Sequence, residues 1–109
     1  MSKNYTEILN VTDPNRWNCV KYARERCHKL PFKLWTISDK KKIINDNTPD
    51  KGSVAIMNTG LPWGHVGIIK KVGRNHLTIQ EANYKAGKIT ERHGRAVDLK
   101  ILGYLNPDK

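Results

Sequence analysis

Among the residues of this chain that can do nucleophilic or acid–base work are two cysteines, four histidines and ten acids. Cys19 falls at the start of a helical pattern. Unpaired backbone N–H groups and the positive end of the helix dipole favour a thiolate there. A thiolate is a strong nucleophile, and the same N–H groups help to stabilise an oxyanion. Cys27 is the internal contrast, because it lies on the Val20, Ala23, Leu30 stripe and reads as core. A lone cysteine on a half-apolar helix is more often a small core residue, so Cys19 needs partners. His65 is one, opening the strand-like run Gly64-His65-Val66-Gly67-Ile68-Ile69, where flanking glycines admit close approach. His28, His76 and His93 stand in polar contexts and read as surface. Glu81 shares a strand face with Leu77 and Ile79. A carboxylate there is costly unless paired, and an imidazolium on the neighbouring strand would pair it. The alternative is an exposed acid at a frayed strand end. Asn83 follows two residues later.

Spacing argues against metal and redox chemistry. His65, His76 and His93 are not at short ligand spacings, and neither HExxH nor CxxC occurs, so no metal and no cofactor is expected. Cys19 and Cys27 stand ~12 Å apart along one helix, beyond the reach of a disulfide.

The elements that must position these groups divide at Pro49. Before it, residues 1–12 read as a short helix packed on the core. Thr12-Asp13-Pro14-Asn15 is a helix-start cluster, and residues 16–28 are a helix whose stripe continues to Leu30 before Pro31. Phe32, Leu34, Trp35 and Ile37 follow. Ser38-Asp39 then caps a short helix running through Ile43-Ile44. After Pro49-Asp50-Lys51-Gly52, a turn signal, come β-type runs at 53–57, 65–72, 77–81, 88–92 and 99–105. Gly73-Arg74-Asn75 is of hairpin length. Helices first and strands second predict an α+β fold with an antiparallel sheet. The 109 residues form a single domain, since they leave no room for two normal cores.

The charge is strongly basic: 20 Lys and Arg against 10 acids, a net +10. Such an excess points to anionic partners. It is spread evenly, with no basic tail and no zinc-finger or RNA-binding aromatic signature, so nucleic acid is not expected. Lys40-Lys41-Lys42 is the one dense cluster and is expected on a solvated face. No apolar run approaches the length of a membrane span, and the first residues lack a signal-peptide h-region.

Four segments in order then carry a resemblance: Asn18-Cys19-Val20-Lys21-Tyr22-Ala23-Arg24, Gly52-Ser53-Val54-Ala55-Ile56-Met57, Gly64-His65-Val66-Gly67-Ile68-Ile69, and Ile79-Gln80-Glu81-Ala82-Asn83-Tyr84. Together they resemble the CHAP family, the cysteine, histidine-dependent amidohydrolases/peptidases, a compact branch of the papain-like fold. The resemblance runs from about Arg16 to Asn106. It implies N-terminal helices on an antiparallel sheet, with Cys19 as nucleophile, His65 as general base, Glu81 orienting the imidazole and Asn83 as a fourth polar member. Asn18 stands where many relatives carry Gln, keeps the amide donor, and is expected in the oxyanion hole. Trp63 and Tyr84 are expected to bind substrate. Some phage relatives carry an Asp-rich calcium loop before the cysteine. Here residues 10–15 hold one acid, Asp13, so no such site is expected.

The implied activity is peptidoglycan amide hydrolysis, between muramic acid and L-alanine or within stem and bridge peptides. The basic surface would attract anionic envelope polymers. A monomer is expected, made in the cytoplasm and reaching the wall by release or delivery, as phage-type lysins do. The rival readings are a silent basic module binding anionic polymer and a thiol amidase with a non-wall substrate. Intact Cys, His, Glu and Asn at the motif positions argue against the silent module.

Overall fold

A computed structural model describes residues 5–10, 19–31, 34–82, 84 and 88–109. Its elements are β1 (Tyr5–Asn10), α1 (Cys19–Arg26), α2 (Ile37–Lys42), β2 (Val54–Met57), β3 (His65–Gly73), β4 (His76–Ala82), β5 (Lys88–Gly94) and β6 (Ile101–Leu105). The strands form one sheet in the order β1-β5-β4-β3-β2-β6. Every pairing between neighbours is antiparallel. The fold is α+β. Strands β2 to β5 follow one another as a meander, while β6 returns to the free side of β2.

The opening segment departs from the sequence reading. Residues 5–10 are a strand paired with β5, not a helix. Tyr5, Thr6 and Ile8 are good strand formers, and the outer edge of β5 offers a row of backbone groups that need partners. Long-range pairing thus overrides a weak local pattern. The first helix covers 19–26 of the expected 16–28, and residues 11–18 lie outside the described part. It ends before Pro31, with Cys27 to Leu30 turning away from it. The second helix is capped by Thr36 rather than Ser38. The Asp39 N–H donates to Thr36 Oγ1 at 3.1 Å, and the Thr36 N–H donates to Asp39 Oδ2 at 3.1 Å, a reciprocal capping box.

Period-2 alternation along β2 creates two apolar layers. Val54 and Ile56 pack with Val66 and Ile68 against Ala23, Cys27 and Leu30, joining the sheet to α1. Ala55 and Met57 point the other way, toward Ile69, Leu77, Ile79, Leu99 and Tyr104. Cys27 is 4% exposed, the core position its stripe required. At the α1 end of the sheet, Met57 pairs with His65 in register and Glu81 pairs with Thr90. The ends of β3 and β4 therefore lie beside the start of α1.

Candidate active site

Cys19 is the first residue of α1, at the end with free helical N–H groups. Its thiol is half-buried. The side chain hydrogen-bonds His65, and the backbone N–H of Val66 donates to the sulfur. His65 is the first residue of β3 and is buried. Its Nε2 lies 2.8 Å from Glu81 Oε1, which leaves Nδ1 for the thiol. Two glycines make this packing fit. Gly64 has φ +69°, and a Cβ there would meet Ile37 Cδ1 at 2.6 Å. A Cβ on Gly67 would stand 3.3 Å from Glu81 Cβ and 3.2 Å from Met57 Cε.

Glu81 is fully buried rather than frayed into solvent. Desolvation is answered by two partners. Arg92 donates Nε to Oε2 at 2.7 Å and Nη2 to Oε1 at 2.8 Å, and His65 occupies Oε1 as well. Thr90 Oγ1 lies 3.5 Å from Oε2. Arg92 sits opposite Ile79 on β5, two residues beyond Glu81's own partner Thr90. The sequence reading did not single it out. A buried acid on β4 does call for a cation, but only the β4–β5 register says which one.

Lys40 is a correction. It is 2% exposed, not on a solvated face with Lys41 and Lys42. Its Nζ donates to the Leu34 carbonyl at 2.7 Å. The signal was present in helical spacing: Lys40 lies three residues after Ile37 and three or four before Ile43 and Ile44, so it belongs to the buried stripe. The lysine stem packs there while the ammonium finds a carbonyl.

These charges explain the titration of the site. Burial pushes the Cys19 thiol up, but the hydrogen bond and charge of His65, the Val66 N–H and the Lys40 charge outweigh it and hold the thiol below its ordinary value. Burial disfavours the imidazolium of His65, yet hydrogen bonds and charges from Cys19 and Glu81 raise it to about 9. Burial favours protonated Glu81, and Arg92 and then His65 reverse this, keeping the carboxyl below its usual range. Burial also lowers Lys40, with the charges of Cys19 and Asp39 opposing. In their ionised forms these groups alternate in sign through the site: ammonium, thiolate, imidazolium, carboxylate and guanidinium.

The structure brings Cys19, His65 and Glu81 into one hydrogen-bonded series. Asn18 and Asn83 lie outside the described residues. Tyr84 stands at the rim with its ring centroid 6.4 Å from that of His65 and tilted 54°. The Arg92 guanidinium lies 3.7 Å over the same ring. Trp63 is 53% exposed on the loop before β3. The N–H of Ile37 donates to the Pro62 carbonyl at 2.9 Å, tying the start of α2 to that loop. Trp35, 73% exposed, precedes α2 and so stands on the adjoining loop. The sequence reading listed Trp35 only among apolar residues.

A thiol at a helix N-terminus, hydrogen-bonded to an imidazole from the first residue of a strand and backed by a buried carboxylate, defines a cysteine–histidine class of α+β domain. The particular family follows from comparison with known proteins. Residues 10–83 match the CHAP domain, and the chain belongs to the CHAP family. Two solved structures of Ly7917, one of them with the hydrolysing product of MDP, are similar at 27% identity and a TM-score of 0.49. The likeness covers 59% of this chain and 30% of Ly7917, so this chain accounts for under a third of that protein's length. No curated protein matches the sequence.

Proposed function

We propose that the chain is a peptidoglycan hydrolase that uses Cys19 as its nucleophile. The observation that carries this reading is the continuous series from Cys19 through His65 to Glu81, with the thiol pKa lowered and the imidazole pKa raised. That arrangement stores a thiolate and a proton side by side. CHAP membership supports the choice of amide chemistry and of wall peptides as substrate.

The Cys19 sulfur attacks the amide carbonyl carbon, and the carbonyl oxygen takes the electron pair. Free N–H groups at the start of α1 and the Asn18 amide stabilise that oxyanion. The His65 proton passes to the leaving nitrogen, the C–N bond breaks, and a thioester remains on Cys19. Neutral His65 then takes a proton from water, which attacks the thioester. The C–S bond breaks, the product leaves as a carboxylic acid that gives its proton to solvent, and thiolate and imidazolium are restored. Glu81 holds the ring in the required tautomer and orientation throughout, and Asn83 takes the fourth polar role that the CHAP resemblance implies. Trp63 and Tyr84 flank the substrate. The bond cut is either muramoyl–L-alanine or a peptide bond of the stem or bridge.

The test is mass spectrometry of purified peptidoglycan after incubation with the protein. New amine and carboxylate ends at one bond type are expected with wild type and not with Cys19→Ala. Intact peptidoglycan with the wild-type protein would overturn the proposal.

A further inference from the structure

We infer that Arg92 is a positioning residue of the Cys19–His65 pair: it clamps both oxygens of Glu81 so that Oε1 stays presented to His65 Nε2. The inference rests on the thiol-hydrolase reading above.

The Arg92 head is engaged along one edge and over one face. One edge forms the two-point contact with Glu81, at 2.7 and 2.8 Å. Nη2 also lies 3.3 Å from the Met57 sulfur. The flat face covers the Tyr84 ring at 3.7 Å. The residue is 4% exposed, so little solvent competes for these contacts. A carboxylate held by one hydrogen bond can turn about its last torsion. A planar fork bonded to both oxygens fixes the carboxylate plane. The Oε1 that Arg92 holds is the same atom that meets His65, so the orientation of one contact sets the other.

A purely structural role explains less. Strands β4 and β5 are already paired from Leu77↔Gly94 to Ala82↔Ile89. A buried ion pair is a weak way to add stability, since apolar replacements often serve as well. The clamp has a clear use only if Glu81 must stay ionised and aimed in a place that favours its neutral form.

Among the described residues, the charged and titratable groups around Glu81 are few. His65 faces it from β3 and Arg92 from β5, with Thr90 alongside. Cys19 of α1 lies beyond His65, and Lys40 of α2 acts on Cys19. Tyr84 lies across Arg92. β1 sets Tyr5 and Glu7 opposite Arg92 and Thr90 in register. Without Arg92, burial of Glu81 is opposed by His65 and the long Thr90 contact. Its carboxyl then protonates at higher pH, and His65 loses its charged partner there.

The experiment compares wild type with Arg92→Met and Arg92→Lys, reading Cys19 alkylation by iodoacetamide against pH and turnover of a soluble muropeptide. In Arg92→Met the acid limb of alkylation should move up by about one pH unit, an about tenfold loss of thiolate within that limb. Its kcat should fall with KM little changed. Arg92→Lys should restore the limb through its charge, but not kcat, because a point charge cannot fix the carboxylate plane. A residue that only fastened β4 to β5 would lower thermal stability and leave the limb in place. A folded Arg92→Met with the wild-type limb overturns the inference. If that variant does not fold, Arg92→Lys with wild-type kcat overturns it. Alkylation needs no substrate, so wild-type protein that cuts no peptidoglycan overturns the proposed function separately, and the alkylation profiles still decide the role of Arg92.

Discussion

His65 Nε2 and Glu81 Oε1 stand 2.8 Å apart, and both side chains are sealed from solvent. The imidazole therefore cannot exchange this partner for water, and its proton is held to about pH 9. The folded value lies above the ordinary 6.5 of the free side chain. The stabilisation from this proton is thus fully present below about 6.5 and is lost as pH rises through about 9. For Cys19 the sign is opposite: its folded pKa is lowered, so the thiolate contribution is lost as pH falls through that lowered value. Hydrolysis should decline through about pH 9, as the general acid disappears. Alkylation of Cys19 should persist there, because the thiolate remains. Glu81→Gln should bring the alkaline limb of hydrolysis down toward neutrality. It should also lower thermal stability by about 3–5 kcal/mol, because Arg92 is left buried and unpaired. An unmoved limb in a folded Glu81→Gln protein would count against this account of His65.

The two cysteines should separate cleanly. Cys19→Ala should abolish cleavage with an unchanged circular dichroism spectrum. Cys27→Ser puts a hydroxyl among Ala23, Leu30 and Val54. It should cost about 1–3 kcal/mol and retain turnover below the melting transition. Peptide mapping after brief alkylation should find label on Cys19 and little on Cys27.

Lys40→Met keeps the buried stem and removes the ammonium. The Leu34 carbonyl loses its donor, at about 1–3 kcal/mol. Cys19 loses one of the charges that lower its pKa. The acid limb of alkylation should move up, and a limb that stays put would show that Lys40 serves packing alone.

Lys41 and Lys42, both on the surface, carry the electrostatic expectation that Lys40 cannot. Added salt should slow lysis of intact walls, since attraction between exposed charges is screened over ~8 Å at physiological ionic strength. Lys41→Gln with Lys42→Gln should reproduce part of that loss. Turnover of a small uncharged muropeptide should change little in either case. Equal losses on both substrates would place the salt effect inside the active site.

Turnover should survive dialysis against EDTA. Residues 10–15, just before Cys19, hold a single acid, Asp13, too few for the oxygen-rich shell that calcium takes. A loss reversed by calcium would refute this.

Cys19 and His65 stood out in the sequence because each has a local signal. One begins a helical stripe, and the other opens a strand between glycines. The core role of Cys27 and the runs that became β2 to β6 were legible for the same reason, since 3.6- and 2-residue periods are properties of neighbouring positions. Glu81 was legible as an acid on an apolar face that an imidazolium would pair, but its second cation was not. Its burial against Arg92 depends on the register that places Glu81 opposite Thr90 and Arg92 two residues beyond, a relation between strands. The opening strand was misread as a helix because its stabilising partner is the distant β5. Lys40 was misread because a run of three lysines looks uniformly solvated, whereas α2 turns one of them inward to the Leu34 carbonyl beside Cys19. Local pattern was enough for the two helices and for β2 to β6, and for singling out Cys19 and His65. Which charges surround those two residues was decided by tertiary structure, because electrostatic partners are chosen by proximity in space and desolvation, neither of which sequence spacing records.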